Sequence, residues 1–211
     1  MRILITAGPT REPIDPVRFL SNRSTGKMGY AIATAAELRG HEVLLVSGPV
    51  NVPTPGGCHI VSVETASQMY DEVMEHSKGC DAAVMVAAVA DYTPIETSPQ
   101  KLKKSGDQNI KLKRTKDILG SMRQIFKFDG VLVGFAADTE GLRENALSKM
   151  QRKGCDFIVA NDVSRKDIGF ESDQNEVTVF QSDGSKDHIK KCSKQDIAEK
   201  ILDKIESLLK G

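Results

Sequence analysis

The chain has 211 residues, enough for one α/β domain with a buried core, and its 39% hydrophobic and 27% charged content is ordinary for a globular protein. Twenty-nine Lys and Arg balance 29 Asp and Glu, which excludes a whole-molecule field that would draw in nucleic acid or a membrane surface. No apolar run approaches the ~20 residues of a membrane helix, Met1-Arg2 leads into an apolar strand rather than a secretory signal, and Cys58, Cys80, Cys155 and Cys192 form no CxxC pair; a cytoplasmic protein without a zinc site or disulfide framework is expected.

In chain order, RILITAG (2–8) reads as a buried strand ending in Gly-Pro. An Ala-rich helix over 24–39 follows, with Ser24 or Thr25 as a cap and Gly40 as the left-handed residue past its end. EVLLVSG (42–48) and HIVSVE (59–64) read as strands, and 65–78 repeats apolar positions at helical spacing. DAAVMVAAVADY (81–92) is the most apolar stretch and predicts a central strand; VLVGFAAD (131–138) and FIVANDV (157–163) are similar. Helical segments fall near 116–127 and 140–153. The alternation predicts a three-layer, Rossmann-like α/β fold, a mainly parallel sheet flanked by helices, in a single domain over 1–211. EVTVFQSDGSKDHIKKC (176–192) alternates around Asp-Gly and predicts a hairpin with an exposed edge. Ile197, Ile201, Ile205 and Leu208 mark one face of a closing amphipathic helix. The irregular stretch 93–115, rich in Lys and holding Pro94, Pro99 and Gly106, is long for a connection and reads as a lid or a disordered segment.

Ligands of open parallel sheets bind beyond the carboxyl ends of the strands. Here those ends carry 8–29, Asp91-Tyr92, Asp138-Thr139 and Asn161-Asp162. SNRSTGKMG (21–29) offers backbone N–H groups at a helix start, which suit a phosphate or carboxylate; its glycines equally suit close packing. The spacing is neither a Walker A motif nor GxGxxG. The lysines of KLKK (101–104) sit close enough to converge on a polyphosphate, or form a solvated face. Lys149 and Lys153, four apart, share a helix face that is either solvated or part of a site. Asp91 suits a ribose hydroxyl, a divalent ion or a turn cap, and Phe135 is a core residue unless its strand end opens onto the site.

Six stretches in order, TAGPTREPIDPVRFLSNRSTGKMGYAIA (6–33), VAAVADY (86–92), KLKK (101–104), VGFAAD (133–138), LSKMQRKGCDFIVANDV (147–163) and GFESDQNEV (169–177), together resemble the synthetase part of bacterial phosphopantothenate–cysteine ligases, also called phosphopantothenoylcysteine synthetases. The resemblance implies that 4′-phosphopantothenate and L-cysteine are joined in coenzyme A biosynthesis. It implies CTP as co-substrate, Mg2+ or Mn2+, and an acyl-cytidylate intermediate, with pyrophosphate and CMP released. By the same resemblance Asn22 engages the acyl-cytidylate, and Ala87, Ala88 and Asp91 shape the pocket. Lys101 is the first lysine of a mobile K-x-K-K loop completed by Lys103 and Lys104. Phe135, Lys149 and Lys153 contact the nucleotide, and so, more loosely, does the segment Lys113, Arg114, Thr115 and Lys116. Asn22 and Lys101 are the implied catalytic pair. On local chemistry, Ser24 and Gly26 at the helix start and Asp91 at the strand end join the nucleotide-binding candidates, and Asp91 is the candidate metal ligand. Lys113–Asp117 reads KRTKD where relatives often place Asn-Pro before the Asp, so backbone contacts there are expected to outlast side-chain ones.

Many bacterial relatives carry a flavin-dependent decarboxylase ahead of this part. This sequence starts at the synthetase strand, so either a stand-alone synthetase or an excised part of a longer protein is expected, with no flavin site within these residues and with possible coupling to a separate phosphopantothenoylcysteine decarboxylase. A homodimer is implied, with the 176–192 hairpin as a possible dimer arm. Two other readings stay open on the residues alone. One is a nucleotide-sugar or NAD-type dehydrogenase, which lacks GxGxxG after the first strand and has Val46-Ser47-Gly48 where an acidic residue would end the second. The other is a nucleotide-binding regulatory module, which leaves the lysine loop unused.

Overall fold

In the computed structural model, residues 1–104, 106–138, 141–162 and 172–210 are described, with Asp138 and Asp162 as backbone only. The elements run β1 (Arg2–Ala7), β2 (Arg11–Pro13), β3 (Phe19–Ser21), α1 (Lys27–Leu38), β4 (Glu42–Ser47), β5 (His59–Ser62), α2 (Ala66–His76) and β6 (Ala82–Met85). They continue as β7 (Tyr92–Pro94), β8 (Leu112–Arg114), α3 (Ile118–Gln124), β9 (Val131–Asp138), α4 (Leu142–Lys153), β10 (Phe157–Asp162), β11 (Gln174–Gln181), β12 (Lys186–Ser193) and α5 (Lys194–Lys210).

Eight strands form one sheet in the order β12-β11-β10-β9-β6-β1-β4-β5. The six from β5 to β10 are parallel, and β11 and β12 close one side antiparallel. Alternation along β1 sends Ile3, Ile5 and Ala7 to the face covered by α1 and α5, and Leu4 to the face covered by α2, α3 and α4. A sheet buried on both faces requires near-continuous apolar strands, which is why β1, β4 and β6 show so little polar alternation. The three-layer arrangement agrees with the expectation.

Boundaries shift where polar side chains take over from the ladder. The strand expected over 81–92 stops at Met85. Beyond it the amides of Val86 and Ala87 donate to Thr6 Oγ1, both at 3.2 Å, and that of Ala90 donates to Thr10 Oγ1 at 3.0 Å. An apolar composition marks these residues as covered without making them a strand. Neither Ser24 nor Thr25 caps α1: Gly26 is its first flanking residue, with φ 77°, and no side-chain cap is made. Gly40 does take the left-handed conformation, at φ 77°. The stretch 93–115 is bounded by the short β7–β8 pair. Leu208 is exposed, unlike Ile197, Ile201 and Ile205, and lines an open cleft with Phe157 and Ile189. The hairpin is integral to the sheet through β10–β11 rather than a detached arm, and its outer strand exposes Lys186, His188 and Lys190. Val163, Thr139 and the 169–171 part of GFESDQNEV lie outside the described residues.

Candidate functional site at the strand switch point

The chain runs from β1 outward through β4 to β5, then crosses back to β6, β9 and β10 on the other side of β1. The chain leaves β1 for α1 on one face of the sheet and leaves β6 for α3 on the other, so the two connections part above the strand ends, at the position where such sheets take ligands. Both continuations line it. Ala88 donates to the Gly8 carbonyl at 2.9 Å, and Thr10 donates to the Ala88 carbonyl at 3.3 Å, so residues 8–10 and 86–90 form one bonded floor. The small Ala87 and Ala88 side chains leave that floor low.

Asn22 stands over it. The residue follows β3, whose Ser21 hydroxyl donates to the Thr10 carbonyl at 2.7 Å, and Asn22 Nδ2 donates to the Ala88 carbonyl at 2.9 Å. An amide nitrogen carries two hydrogens. One is committed to Ala88, which fixes the plane in which the other is offered.

Helix α1 starts beside the same floor. A side chain at Gly26 would place its Cβ 2.5 Å from Val50 and 3.3 Å from the Gly8 Cα, and one at Gly29 would meet the Ala7 Cβ at 2.6 Å. The glycines therefore let α1 lie directly on the end of β1, with the positive end of its dipole at the crevice. Ser24 Oγ accepts from the Gly26 amide at 3.3 Å, which shapes the turn before the helix.

The far wall comes from β9, α3 and α4. The amide of Thr115 donates to the Asp91 carbonyl at 3.0 Å, and the Thr115 hydroxyl donates to the Ala90 carbonyl at 2.7 Å. Asp117 caps α3 by accepting from the Gly120 amide at 2.9 Å, and its other oxygen pairs with Lys153. Burial pushes the Lys153 ammonium below the usual lysine range, while nearby Asp91 works against that shift. Lys149 Nζ donates to the Phe135 carbonyl at 2.6 Å, so α4 is tied to the end of β9. The Phe135 ring is half-buried against the α1–α5 side of the core. Burial raises the Cys155 thiol to about 11, which makes it packing rather than a nucleophile at neutral pH.

The remaining expected residues sit further out. Lys113 and Arg114 are exposed on β8, opposite Thr93 and Tyr92. The Lys116 ammonium lies 4.4 Å from the Tyr70 ring centroid and 3.6 Å from Asp71, on α2. Lys101, Lys103 and Lys104 are exposed on a loop packed along 13–18. The fold thus brings Asn22, Ala87, Ala88, Asp91, Thr115 and Lys153 into one connected wall, sets Lys149 and the Phe135 carbonyl beside it, and turns Lys116 toward α2. Thr6, Thr10, Asp117 and the pair Asp15–Arg18 are supporting residues that sequence reasoning missed. Buried threonines at the end of an apolar strand were the available signal for the first two.

Asp91 is an exposed carboxylate at the crevice. A divalent ion held jointly by one carboxylate and substrate phosphates needs no more than that from the protein. Glu72, Glu75 and His76 could also gather a metal, but they lie on α2, and Glu72–His76 is an ordinary i,i+4 pair at 3.3 Å.

A separate cleft of about 330 Å³ lies along α1, lined by Lys27, Tyr30, Asn51, Asp173 and Lys194. Lys27 pairs with Asp173 at 2.6 Å, and burial pushes the Lys194 ammonium down to about 8.

Comparison with known proteins sets this geometry in context. The family model for the DNA/pantothenate metabolism flavoprotein C-terminal domain matches residues 1–209. The chain is 45% identical over 210 residues to the coenzyme A biosynthesis bifunctional protein CoaBC of Bacillus subtilis (strain 168), covering 99% of this chain and 52% of that protein. It is 45% identical over 190 residues to the protein of the same name from Escherichia coli (strain K12), covering 88% and 47%. The chain therefore spans about half the length of the curated relatives it matches. A crystal structure of the C-terminal domain of CoaBC is similar with a TM-score of 0.85 and 42% identity, over 99% of this chain and 95% of that one. A Cab2 mutant in complex with phosphopantothenate-cysteine, 16% identical with a TM-score of 0.81, shares the fold.

Proposed function

Because the chain belongs to the DNA/pantothenate metabolism flavoprotein C-terminal domain family, we propose that it is the phosphopantothenate–cysteine ligase of coenzyme A biosynthesis, joining 4′-phosphopantothenate to L-cysteine at the expense of CTP. The observation that carries this reading is the Asn22 amide held on the Ala88 carbonyl at the strand switch point, beside the α1 N-terminus and Lys153.

The pantothenate carboxylate attacks the α-phosphorus of CTP. An O–P bond forms, the bond to the β-phosphate oxygen breaks, and pyrophosphate leaves. The amine of cysteine then attacks the acyl carbon of the acyl-cytidylate, CMP departs, and the amine proton is lost. The substrate supplies its own nucleophile, so the protein acts by positioning and charge neutralisation. The uncommitted Asn22 N–H donates to an acyl or phosphoryl oxygen. The start of α1 with Ser24 and Gly26 receives anionic oxygen, Lys149 and Lys153 neutralise phosphate charge, and Lys101 closes over it. The Phe135 and Lys113–Lys116 segments border the nucleotide, mainly through backbone. Asp91 would hold Mg2+ or Mn2+ together with phosphate oxygens, and the bound ion supplies charge neutralisation there.

A homodimer belongs to this reading. Val17, Phe19, Tyr92, Ile95, Ile110 and Leu112, all exposed, gather on the β2–β3 and β7–β8 units, which favours those units over the Lys-bearing edge of β12 as the contact between copies. The product suits consumption by a phosphopantothenoylcysteine decarboxylase, and a cytoplasmic setting belongs to the same reading. Among the described residues no helix is long and apolar enough to cross a membrane.

The deciding experiment is a panel of CTP, ATP, UTP and GTP assayed for pyrophosphate release with phosphopantothenate present, first without cysteine and then with it. Release that needs phosphopantothenate and prefers CTP is expected. Nucleotide binding without turnover would replace the ligase with a regulatory module.

A further inference from the structure

The root of the lysine loop is held by a two-point grip. Asp15, whose side chain is fully covered, accepts at Oδ1 from the amides of Val17 and Arg18, both at 2.8 Å. Its Oδ2 accepts from Arg18 Nε at 2.9 Å, from Arg18 Nη2, and from the Leu102 amide at 3.2 Å. Arg18 Nη2 also donates to the Leu102 carbonyl at 3.1 Å. The carboxylate thus holds the N–H of Leu102 and the guanidinium holds its C=O. Leu102 is the one residue of KLKK that is not a lysine, and Lys101 and Lys103 flank it. Two further bonds lay the preceding residues along the same turn, from the Ser98 amide to the Ile14 carbonyl at 3.0 Å and from the Thr97 hydroxyl to the Pro13 carbonyl at 3.2 Å.

The grip is joined to the site by a short rigid path. Arg18 immediately precedes β3, and Asn22 immediately follows it. Whatever fixes Leu102 to Arg18 therefore fixes the lysine loop relative to Asn22. The Arg18 guanidinium holds the Asp15 carboxyl well below the usual carboxylate range; burial opposes this, and the Val17, Arg18 and Leu102 amides add to it.

We propose that Asp15 and Arg18 are positioning residues that clamp the backbone of Leu102, so that Lys101 and Lys103 on either side of it are presented to the nucleotide from a fixed point. This rests on the ligase reading for its chemical consequence, and on geometry alone for the clamp. Asp15→Asn replaces one acceptor oxygen with a donor facing Arg18 and the Leu102 amide. Arg18→Lys keeps the charge but loses the planar fork that spans Asp15 and Leu102 together.

The test pairs amide hydrogen exchange at Leu102 with steady-state kinetics in both variants. Exchange at Leu102 at least tenfold faster, with core strands unchanged, is expected. So is a kcat for pyrophosphate release at least tenfold lower while KM for phosphopantothenate stays within threefold. Unchanged exchange overturns the clamp, and faster exchange with normal kcat overturns its positioning role. Arg18, whose side chain is half-exposed, gives the deciding variant if Asp15→Asn does not fold. A wild-type chain that releases no pyrophosphate under any nucleotide would instead refute the ligase, and the exchange result alone would then judge the clamp.

Discussion

Replacing Asn22 with Asp separates the roles of fold and chemistry at the crevice. In the native chain, Nδ2 sits 2.9 Å from the Ala88 carbonyl oxygen. An aspartate would set a carboxylate oxygen against that carbonyl, so the side chain must turn away. The fold loses little, because the Thr10 amide also donates to the Ala88 carbonyl, at 3.3 Å. One net hydrogen bond is worth about 1 kcal/mol, and a chain of this size then melts roughly 2–4 °C lower. The reaction loses more. A donor aimed at developing oxyanion charge contributes about 3–4 kcal/mol, so its loss alone lowers kcat by about 10²–10³, and the new negative charge, which repels both phosphates and intermediate, should take the loss in Asn22→Asp beyond that. Asn22→Ala removes the donor without adding charge and should show the loss of about 10²–10³ alone. The assay is pyrophosphate release from CTP with saturating phosphopantothenate, alongside thermal unfolding of each variant. A kcat within threefold of wild type in Asn22→Asp, with the fold intact, would refute the placement of the amide at the reacting oxygen.

Four other outcomes are expected. Lys101→Gln should lower acyl-cytidylate formation at least tenfold in single-turnover measurements while thermal unfolding barely moves, since the side chain is exposed. Lys149→Ala should raise KM for CTP by about 10–100-fold, the worth of one hydrogen bond to a charged group, and unchanged nucleotide affinity would return Lys149 to a structural tie on the Phe135 carbonyl. Arg39 reaches Glu199 at 2.6 Å, Asp203 at 2.8 Å and Glu206 at 3.0 Å, so Arg39→Met should cost about 2 kcal/mol after allowance for the exposure of Asp203, measured as a urea midpoint shift that shrinks in high salt. Lys194 sits near 8 in the folded chain and near 10.4 unfolded; the unfolded state therefore binds more protons between those values, and stability should rise with pH across that window. Lys194→Met should remove that rise, read as the difference between the two urea midpoints at pH 7.5 and pH 10.

The order of layers was legible because each parallel strand is buried on both faces and is written as an apolar run. Strand ends were less so. Val86 to Ala90 has the same apolar character as β6, and nothing in its composition reveals that its amides turn to Thr6 and Thr10. The local spacing of SNRSTGKMG left packing and anion binding equally open, and the approach of Gly26 and Gly29 to β1 shows the first while leaving room for the second. The four-residue spacing of Lys149 and Lys153 placed both on α4, yet their different anchors, the Phe135 carbonyl and Asp117, depend on contacts from distant segments. Asp15 and Arg18 were present in the sequence as Asp-Pro-Val-Arg, a pattern that suits an Asx turn. What could not be read was the partner 87 residues away at Leu102.

The ion-paired contact of Arg39 with α5 has a practical implication for handling the chain. Helix α1 presents one end to the crevice and is anchored at the other by the last element of the sequence, which also covers its apolar side. Trimming residues 194–210 would strip that cover and leave the helix that faces the crevice without its counterweight. Protein preparations clipped near the carboxyl terminus should therefore lose ligand affinity together with stability.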